Sequence, residues 1–107
     1  MKYTVVLAAR AVSDLKLARQ YIATSAPLTA ERWYREFLEA LLRLERNPHA
    51  YSLAPESRAL GLELRQFFFR TKGALANRAL YQIVGSEVHV LAIRRPGQPL
   101  ITRADLS

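Results

Sequence analysis

Cysteine is absent from this 107-residue chain, and other residues with special chemistry are scarce. Without cysteine the chain can form neither a disulfide nor a thiolate metal site. Its two histidines, His49 and His89, would need carboxylate ligands to complete a zinc site. No apolar run approaches the roughly 20 residues that span a bilayer. We therefore expect a cytoplasmic protein without a metal ion or cofactor.

Lysine and acidic residues are also few, whereas arginine is plentiful. Of 16 cationic residues only Lys2, Lys16 and Lys72 are lysines, and 9 acidic residues leave a net charge of +7. The excess is uneven, because 8 cations face 6 anions up to Glu56 and 8 face 3 after it. Arginine's planar fork suits phosphate and carboxylate. A basic second half therefore indicates an acidic partner, either nucleic acid or a protein segment, although a solubilising surface explains excess charge alone equally well.

The spacing of the hydrophobic residues predicts the secondary structure. Runs rich in β-branched and aromatic residues predict strands over 2–8, 62–70, 77–84 and 87–95. Apolar stripes of helical period predict helices over 10–24 and 28–46, which Pro27 separates into an antiparallel hairpin. The second stripe is wide: Ala30, Trp33, Phe37, Leu41 and Leu44, with Leu38 and Leu42 beside them. Core packing explains Trp33 and Phe37 on this stripe better than base stacking does.

The order strand, helix, helix, strand, strand, strand predicts one two-layer α+β domain over residues 1–107. The helical hairpin must cover one face of the sheet, and short links make the last three strands an antiparallel meander. Gly85 and Ser86 suit a two-residue hairpin loop. The expected core comprises Leu15, Ile22, Trp33, Phe37, Leu41, Tyr81 and Ile83.

Alternation along 77–84 places Arg78 on the face opposite Tyr81. That face can be wet and cationic while the other is packed against the helices. Six cations of the second half are expected to form this basic face: Arg65, Arg70, Lys72, Arg78, Arg94 and Arg95. Among them, Arg65, Arg78 and Arg94 are expected to be solvent-accessible. The irregular connection over 49–61 is interpreted as a plain crossover in preference to a functional loop.

His89 is the histidine that falls within a predicted strand. Alternation along 87–95 puts it on the same face as Leu91 and Ile93. A packed or hydrogen-bonded histidine explains this position better than a catalytic one.

A series of short motifs runs along nearly the whole chain: Ser13-Asp14-Leu15, Tyr21-Ile22-Ala23, Ala30-Glu31-Arg32-Trp33, Asn47-Pro48, Leu62-Glu63-Leu64-Arg65, Arg78-Ala79-Leu80-Tyr81, Glu87-Val88-His89-Val90-Leu91 and Ile93-Arg94-Arg95. In this order and spacing they resemble the RelE/ParE family of toxins from type II toxin–antitoxin modules of the plasmid-stabilisation type. The resemblance implies a β-α-α-β-β-β fold with the helical hairpin on one face of an antiparallel sheet. It also implies a cognate antitoxin as partner.

The implied antitoxin needs a surface on which to bind. A small domain leaves its sheet edge and the groove beside its helical hairpin open, and such apolar surfaces commonly accept a strand or an amphipathic helix. The arginines would then pair with carboxylates of the antitoxin.

The family contains two mechanisms: RelE-like members are ribosome-dependent mRNA endonucleases, and ParE-like members inhibit DNA gyrase. The resemblance places candidate nuclease residues at Arg78, Arg94, Arg95 and Glu56. A metal-free ribonuclease needs a base, a cation for the phosphorane charge and an acid. This chain has no Lys cluster before its second strand, and neither His nor Tyr follows Ile93, so the nuclease pattern is incomplete.

We therefore expect a ParE-like toxin that binds gyrase. One alternative is a RelE-like endonuclease that acts on mRNA at the ribosome, so whether the protein is an enzyme stays open. The other alternative is a simple basic nucleic-acid-binding module, which would expose aromatic side chains among its cations.

Overall fold

The computed structural model describes residues 2–70 and 76–106, which form a four-stranded sheet with two long helices. In chain order the elements are β1 (Thr4–Leu7), α1 (Ala9–Ala23), α2 (Pro27–Leu41), two short 3₁₀ turns (Leu42–Glu45 and Pro48–Ala50), α3 (Glu56–Leu60), β2 (Arg65–Phe69), β3 (Asn77–Val84), β4 (Glu87–Arg94) and α4 (Arg103–Leu106). The predicted hairpin break is confirmed, because Pro27 opens α2.

The strand order in the sheet is β1-β4-β3-β2. Strands β2, β3 and β4 form the predicted antiparallel meander, and β1 pairs in parallel with β4 at one edge, so the sheet is mixed. The β3–β4 hairpin turns at Gly85, whose φ of +60° suits glycine because it has no Cβ. The two-layer α+β fold class is confirmed.

The main core lies between the two long helices and one face of the sheet. Helix α1 contributes Ala11, Leu15 and Ala18, and α2 contributes Trp33 and Phe37 at its centre. The sheet side chains that meet them are Phe67, Ala79, Tyr81, Val88, Val90 and Ile93. Both helices therefore pack on the same face, as predicted. Of the predicted core residues, Ile22 and Ile83 are only partly buried.

A β-bulge interrupts the pairing of β3 with β4. The register shifts between Leu80 and Tyr81, which leaves Leu91 without a partner on β3. Beyond the bulge, Ile93 joins the helix-side core, whereas His89 alternates with two core valines and points away from it. The prediction that His89 shares a face with Ile93 is therefore wrong, because strict alternation does not continue across a bulge.

The face of the sheet opposite the long helices, hereafter the far face, is partly covered. A second apolar cluster lies there: Ala54, Leu60, Leu64, Leu80, Ala92 and Ile101. Helix α3 and the segment after β4 thus lie over the middle of this face. The prediction of an open, wet face is wrong at its centre, because the 49–61 connection folds back over the sheet.

Strand β2 begins later than predicted, at Arg65. The backbone N–H of Leu64 donates to the hydroxyl of Ser57 at 3.2 Å, and its carbonyl accepts from Ala54 at 2.8 Å. Residues 62–64 are therefore bonded to the connection instead of β3.

Candidate functional site

The far face carries a buried ion pair between Glu56 and Arg78. Glu56, the first residue of α3, is 0% exposed, and the side chain of Arg78 on β3 is 12% exposed. Nη1 of Arg78 donates to Oε1 at 2.7 Å, and Nη2 donates to Oε2 at 2.6 Å. Such a bidentate fork is among the strongest contacts between arginine and a carboxylate. The candidate nuclease residues Glu56 and Arg78 are thus brought together by the folded connection.

Both oxygens of the Glu56 carboxylate are occupied. Oε2 also accepts a hydrogen bond from the backbone N–H of Ile101 at 3.0 Å. Burial alone would raise the pKa of Glu56, but the hydrogen bonds from Arg78 and Ile101 outweigh burial and lower this pKa below its ordinary value of 4.5. A carboxylate held in this way is a weak proton acceptor, because its hydrogen bonds favour the ionised form.

The segment after β4 is fastened over the same face. Arg94 donates from Nε, at 3.1 Å, and from Nη2 to the carbonyl oxygen of Pro99. Ile101 is buried in the second cluster, and Arg103 donates to the carbonyl of Leu60 at 3.0 Å. This C-terminal segment therefore closes over one side of the ion pair.

The prediction that Arg94 is solvent-accessible is wrong. Arg94 is 8% exposed, because the Pro99 carbonyl draws its guanidinium under the C-terminal segment. Arg65 and Arg78 are only partly exposed. Arg65 pairs with Tyr81 and so lies on the helix side of the sheet, which makes the prediction that it shares a face with Arg78 wrong. Arg65 donates to the carbonyl of Tyr51 at 2.6 Å, so its charge is partly used to hold the connection.

The remaining cations of the predicted basic face differ in position. Arg70 and Arg95 are exposed, and Lys72 lies outside the described residues. Whether any of the six cations contributes to function stays a prediction. Phe68 is an exposed aromatic side chain of β2, and it pairs in register with Arg78.

Tyr81 and His89 both have partners. The hydroxyl of Tyr81, on the helix side of the sheet, donates to the carbonyl of Pro48 at 2.5 Å, and burial raises the pKa of Tyr81. Nε2 of His89 lies 2.9 Å from Oε1 of Glu87. His89 is therefore hydrogen-bonded, in agreement with the interpretation from the sequence.

An apolar groove lies along the free edge of β1. It has a volume of about 370 Å³, and its walls come from β1, α2 and the first residue of the 3₁₀ turn after α2: Val5, Leu7, Tyr34, Arg35, Leu38, Glu39, Leu41 and Leu42. The backbone N–H of Thr4 donates to the carbonyl of Ser86, just before β4, and that of Ala8 donates to the carbonyl of Val90 on β4. By alternation, those of Val5 and Leu7 point outward. In the described sheet β1 has β4 on one side and no strand on the other.

The sequence indicated this groove only in general terms. Leu38 and Leu42 widen the apolar stripe of the second predicted helix. In the structure this extra width supplies part of the groove wall. The stripe does not reveal that β1 forms the opposite wall.

Residues 2–70 and 76–106 provide neither a metal-binding cluster nor a membrane-spanning helix. No group of three or more His, Asp or Glu side chains in these ranges could hold a metal ion. No helix there has the length and apolar character needed to cross a bilayer. The absence of a cofactor stays a prediction.

Comparison with known proteins identifies the family. The family model described as the ParE toxin of the type II toxin–antitoxin system parDE matches residues 5–99. The chain belongs to the ParE toxin family. Its resemblance to RelE/ParE toxins is thereby confirmed. The protein is a toxin of the type II toxin–antitoxin class.

Two solved structures resemble this ParE-family toxin. One, the chromosomal ParDE toxin–antitoxin system from P. aeruginosa, has a TM-score of 0.69 and 18% identity, over 88% of this chain and 96% of that chain. The other, a mutant of the E. coli toxin RelE in the free state, has a TM-score of 0.56 and 16% identity, over 91% and 86%. At these identities the likeness shows the shared fold alone. No curated protein sequence matches significantly.

Proposed function

We propose that this ParE-family toxin arrests growth by binding DNA gyrase in the cytoplasm, and that a cognate antitoxin neutralises it. The observation that carries the choice of mechanism is the state of Glu56. Its carboxylate is fully buried and bound by Arg78 and Ile101, and these hydrogen bonds lower its pKa. This state supports a toxin that acts by binding instead of by cleaving RNA.

RNA cleavage requires proton transfer as well as charge stabilisation. Positioned general acid–base catalysis is typically worth ~10²–10⁴-fold. On the far face, Arg78 and Arg94 could stabilise negative charge in the transition state. Arginine stays protonated, however, and is a poor base. Tyr81 lies on the helix side and Glu56 is occupied. The RelE-like alternative therefore lacks Glu56 and Tyr81 as available bases beside Arg78.

The β1 groove suits an antitoxin segment. A strand added beside β1 would pair with the outward-facing backbone of Val5 and Leu7. Its apolar side chains would enter the groove, while Arg35 at the rim is exposed and would attract a carboxylate. An extended segment with alternating apolar residues, and with a carboxylate opposite Arg35 and away from the exposed Glu39, has the chemistry to occupy this edge.

The mechanism is tested by two assays on the purified toxin. We expect inhibition of plasmid supercoiling by purified gyrase, and no cuts in translated mRNA by primer extension. Cuts at codons in the ribosomal A site that vanish in a folded Arg78→Lys variant would overturn the proposal in favour of the endonuclease. Tight nucleic-acid binding without either effect would favour the basic binding module. Copurification with the product of the neighbouring gene tests the antitoxin.

A further inference from the structure

We propose that Leu17, Tyr21 and Arg95, hereafter the α1 patch, dock the toxin onto its protein target. The patch fits a target surface that presents an apolar side chain flanked by a carboxylate. This inference rests on the proposed function only in that the toxin acts by binding a protein. It does not depend on the identity of that protein.

Two large apolar side chains of the patch are exposed on one helix face. Leu17 is 57% exposed and Tyr21 is 67% exposed. They are four residues apart on α1, so they are neighbours along the outer surface of the helix. The buried stripe of the same helix, Ala11, Leu15 and Ala18, faces the core. The exposed pair is therefore not needed for packing.

Arg95 gives the patch a fixed positive charge. Its guanidinium carbon lies 5.2 Å from the centre of the Tyr21 ring, within the range of a cation–π contact. The turn after β4 holds this residue in place, since its backbone N–H donates to Oε1 of Gln98 at 2.6 Å. Within the described residues Arg95 has no carboxylate partner.

The charges around the patch call for an anionic partner. Asp14, the carboxylate nearest to Leu17 in sequence, is already engaged by the backbone N–H of Ile93. The exposed α1 neighbour Lys16 is cationic. A carboxylate from the partner would therefore meet Arg95 without a competing acid from α1, and opposite charge at such a rim favours encounter.

A protein explains the patch better than a nucleic acid does. Tyrosine and arginine are the residue types that most often dominate protein–protein binding energy. Leu17 beside them has no flat face on which a base could stack. A bound strand would also require a track of several cations. The cations at the patch are Arg95 and Lys16, the latter next to Leu17, and these two do not form such a track.

The α1 patch is separate from the β1 groove. None of the groove-lining residues lies on α1 or in the turn after β4. The two surfaces can therefore bind different partners. In this arrangement the antitoxin binds at the β1 groove, and the target protein binds at the α1 patch.

The test compares three variants induced without antitoxin: Leu17→Ser with Tyr21→Ser, Arg95→Glu, and the control Val84→Ser. Val84 is 48% exposed at the end of β3, outside both surfaces. We expect the two patch variants to need about tenfold more protein for the same growth inhibition. The control should match the wild type. Thermal unfolding and antitoxin copurification should be unchanged in all three.

Three results would overturn the proposal. The first is full growth inhibition by folded patch variants, and the second is loss of the antitoxin complex with growth inhibition retained. The third is salt-sensitive binding to a single-stranded oligonucleotide that the Tyr21→Ser change abolishes. The same variants tested against purified gyrase separate the two proposals. One result would be that wild-type toxin leaves gyrase active while the patch variants still lose growth inhibition in cells. That result would contradict gyrase as the target but support the α1 patch as the docking surface.

Discussion

Asp14 on α1 accepts a hydrogen bond from the backbone N–H of Ile93 on β4, with 2.9 Å between Oδ2 and N. Strand β1 pairs with β4 only as far as Val90, so the backbone of Ile93 faces helix α1 where a strand would otherwise lie. Oδ1 of Asp14 also lies 3.5 Å from Nε of Arg10. The Asp14 side chain thus satisfies the unpaired backbone N–H beyond the end of β1 and joins α1 to β4.

Replacement of Asp14 by Ala should destabilise the fold by about 1–3 kcal/mol, since it leaves a part-buried N–H without an acceptor. Asp14→Asn should be milder, because the amide oxygen can still accept the hydrogen bond from Ile93. The control is Ser13→Ala at the exposed neighbouring position, expected within about 0.5 kcal/mol of the wild type. Urea unfolding measures all three variants. An Asp14→Ala variant as stable as the control would show that water replaces the carboxylate.

The pairing of Glu56 with Arg78 should appear as strong coupling in a double-mutant cycle. Arg78→Met leaves a buried charge without its partner and should cost about 3–5 kcal/mol. The double variant Glu56→Leu, Arg78→Met should lose less than the sum of the single losses. Glu63→Gln is the matched control, because Glu63 is 69% exposed in its pair with Arg65 and should contribute below about 1 kcal/mol. Additive losses would contradict the bidentate pair.

The lowered pKa of Glu56 predicts a loss of stability in acid. The folded-state pKa lies below the ordinary value of 4.5, so the unfolded chain takes up the proton first as pH falls. The stabilisation is therefore complete above the unfolded pKa and is lost as pH falls through the folded pKa. The pKa of Asp105 is also lowered, chiefly by hydrogen bonds from Thr102, and its contribution has the same sign.

Urea unfolding from about pH 7 to about pH 3 separates these contributions. In Arg78→Met, burial without the arginine should raise the pKa of Glu56, so the stability difference from wild type should shrink on acidification. Asp105→Asn should reduce the loss of folding stability on acidification. It should leave the stability difference between Arg78→Met and wild type unchanged. A difference that is independent of pH would mean that Glu56 is not ionised in the folded toxin.

Local periodicity was sufficient to predict the helices, the meander and the burial of Tyr81, because each depends on neighbours within one element. The contact between Glu56 and Arg78 joins residues 22 positions apart. It depends on how the 49–61 connection folds back, which no local pattern encodes. The burial of Arg94 under Pro99 has the same origin. The bulge at Leu91 adds one residue to a strand whose composition is typical of strands. No residue pattern marks the bulge, so alternation assigned Ile93 to the wrong face.

The β1 groove makes a prediction about antitoxin affinity. Leu42 lines the groove and is 53% exposed, so Leu42→Glu should change folding stability by no more than about 0.5 kcal/mol. The new carboxylate would remove an apolar contact and repel a carboxylate of the antitoxin segment. We expect the dissociation constant for the cognate antitoxin to rise by about tenfold or more in calorimetric titration.

Leu28→Glu is the control for this measurement, since Leu28 is 87% exposed, does not line the groove, and receives the same charge. Its affinity for the antitoxin should equal that of the wild type. In cells, Leu42→Glu should still arrest growth but escape rescue by coexpressed antitoxin, because the groove lies apart from the α1 patch. Equal weakening by both variants would mean that overall charge governs the affinity, and unchanged affinity in Leu42→Glu would place the antitoxin on another surface.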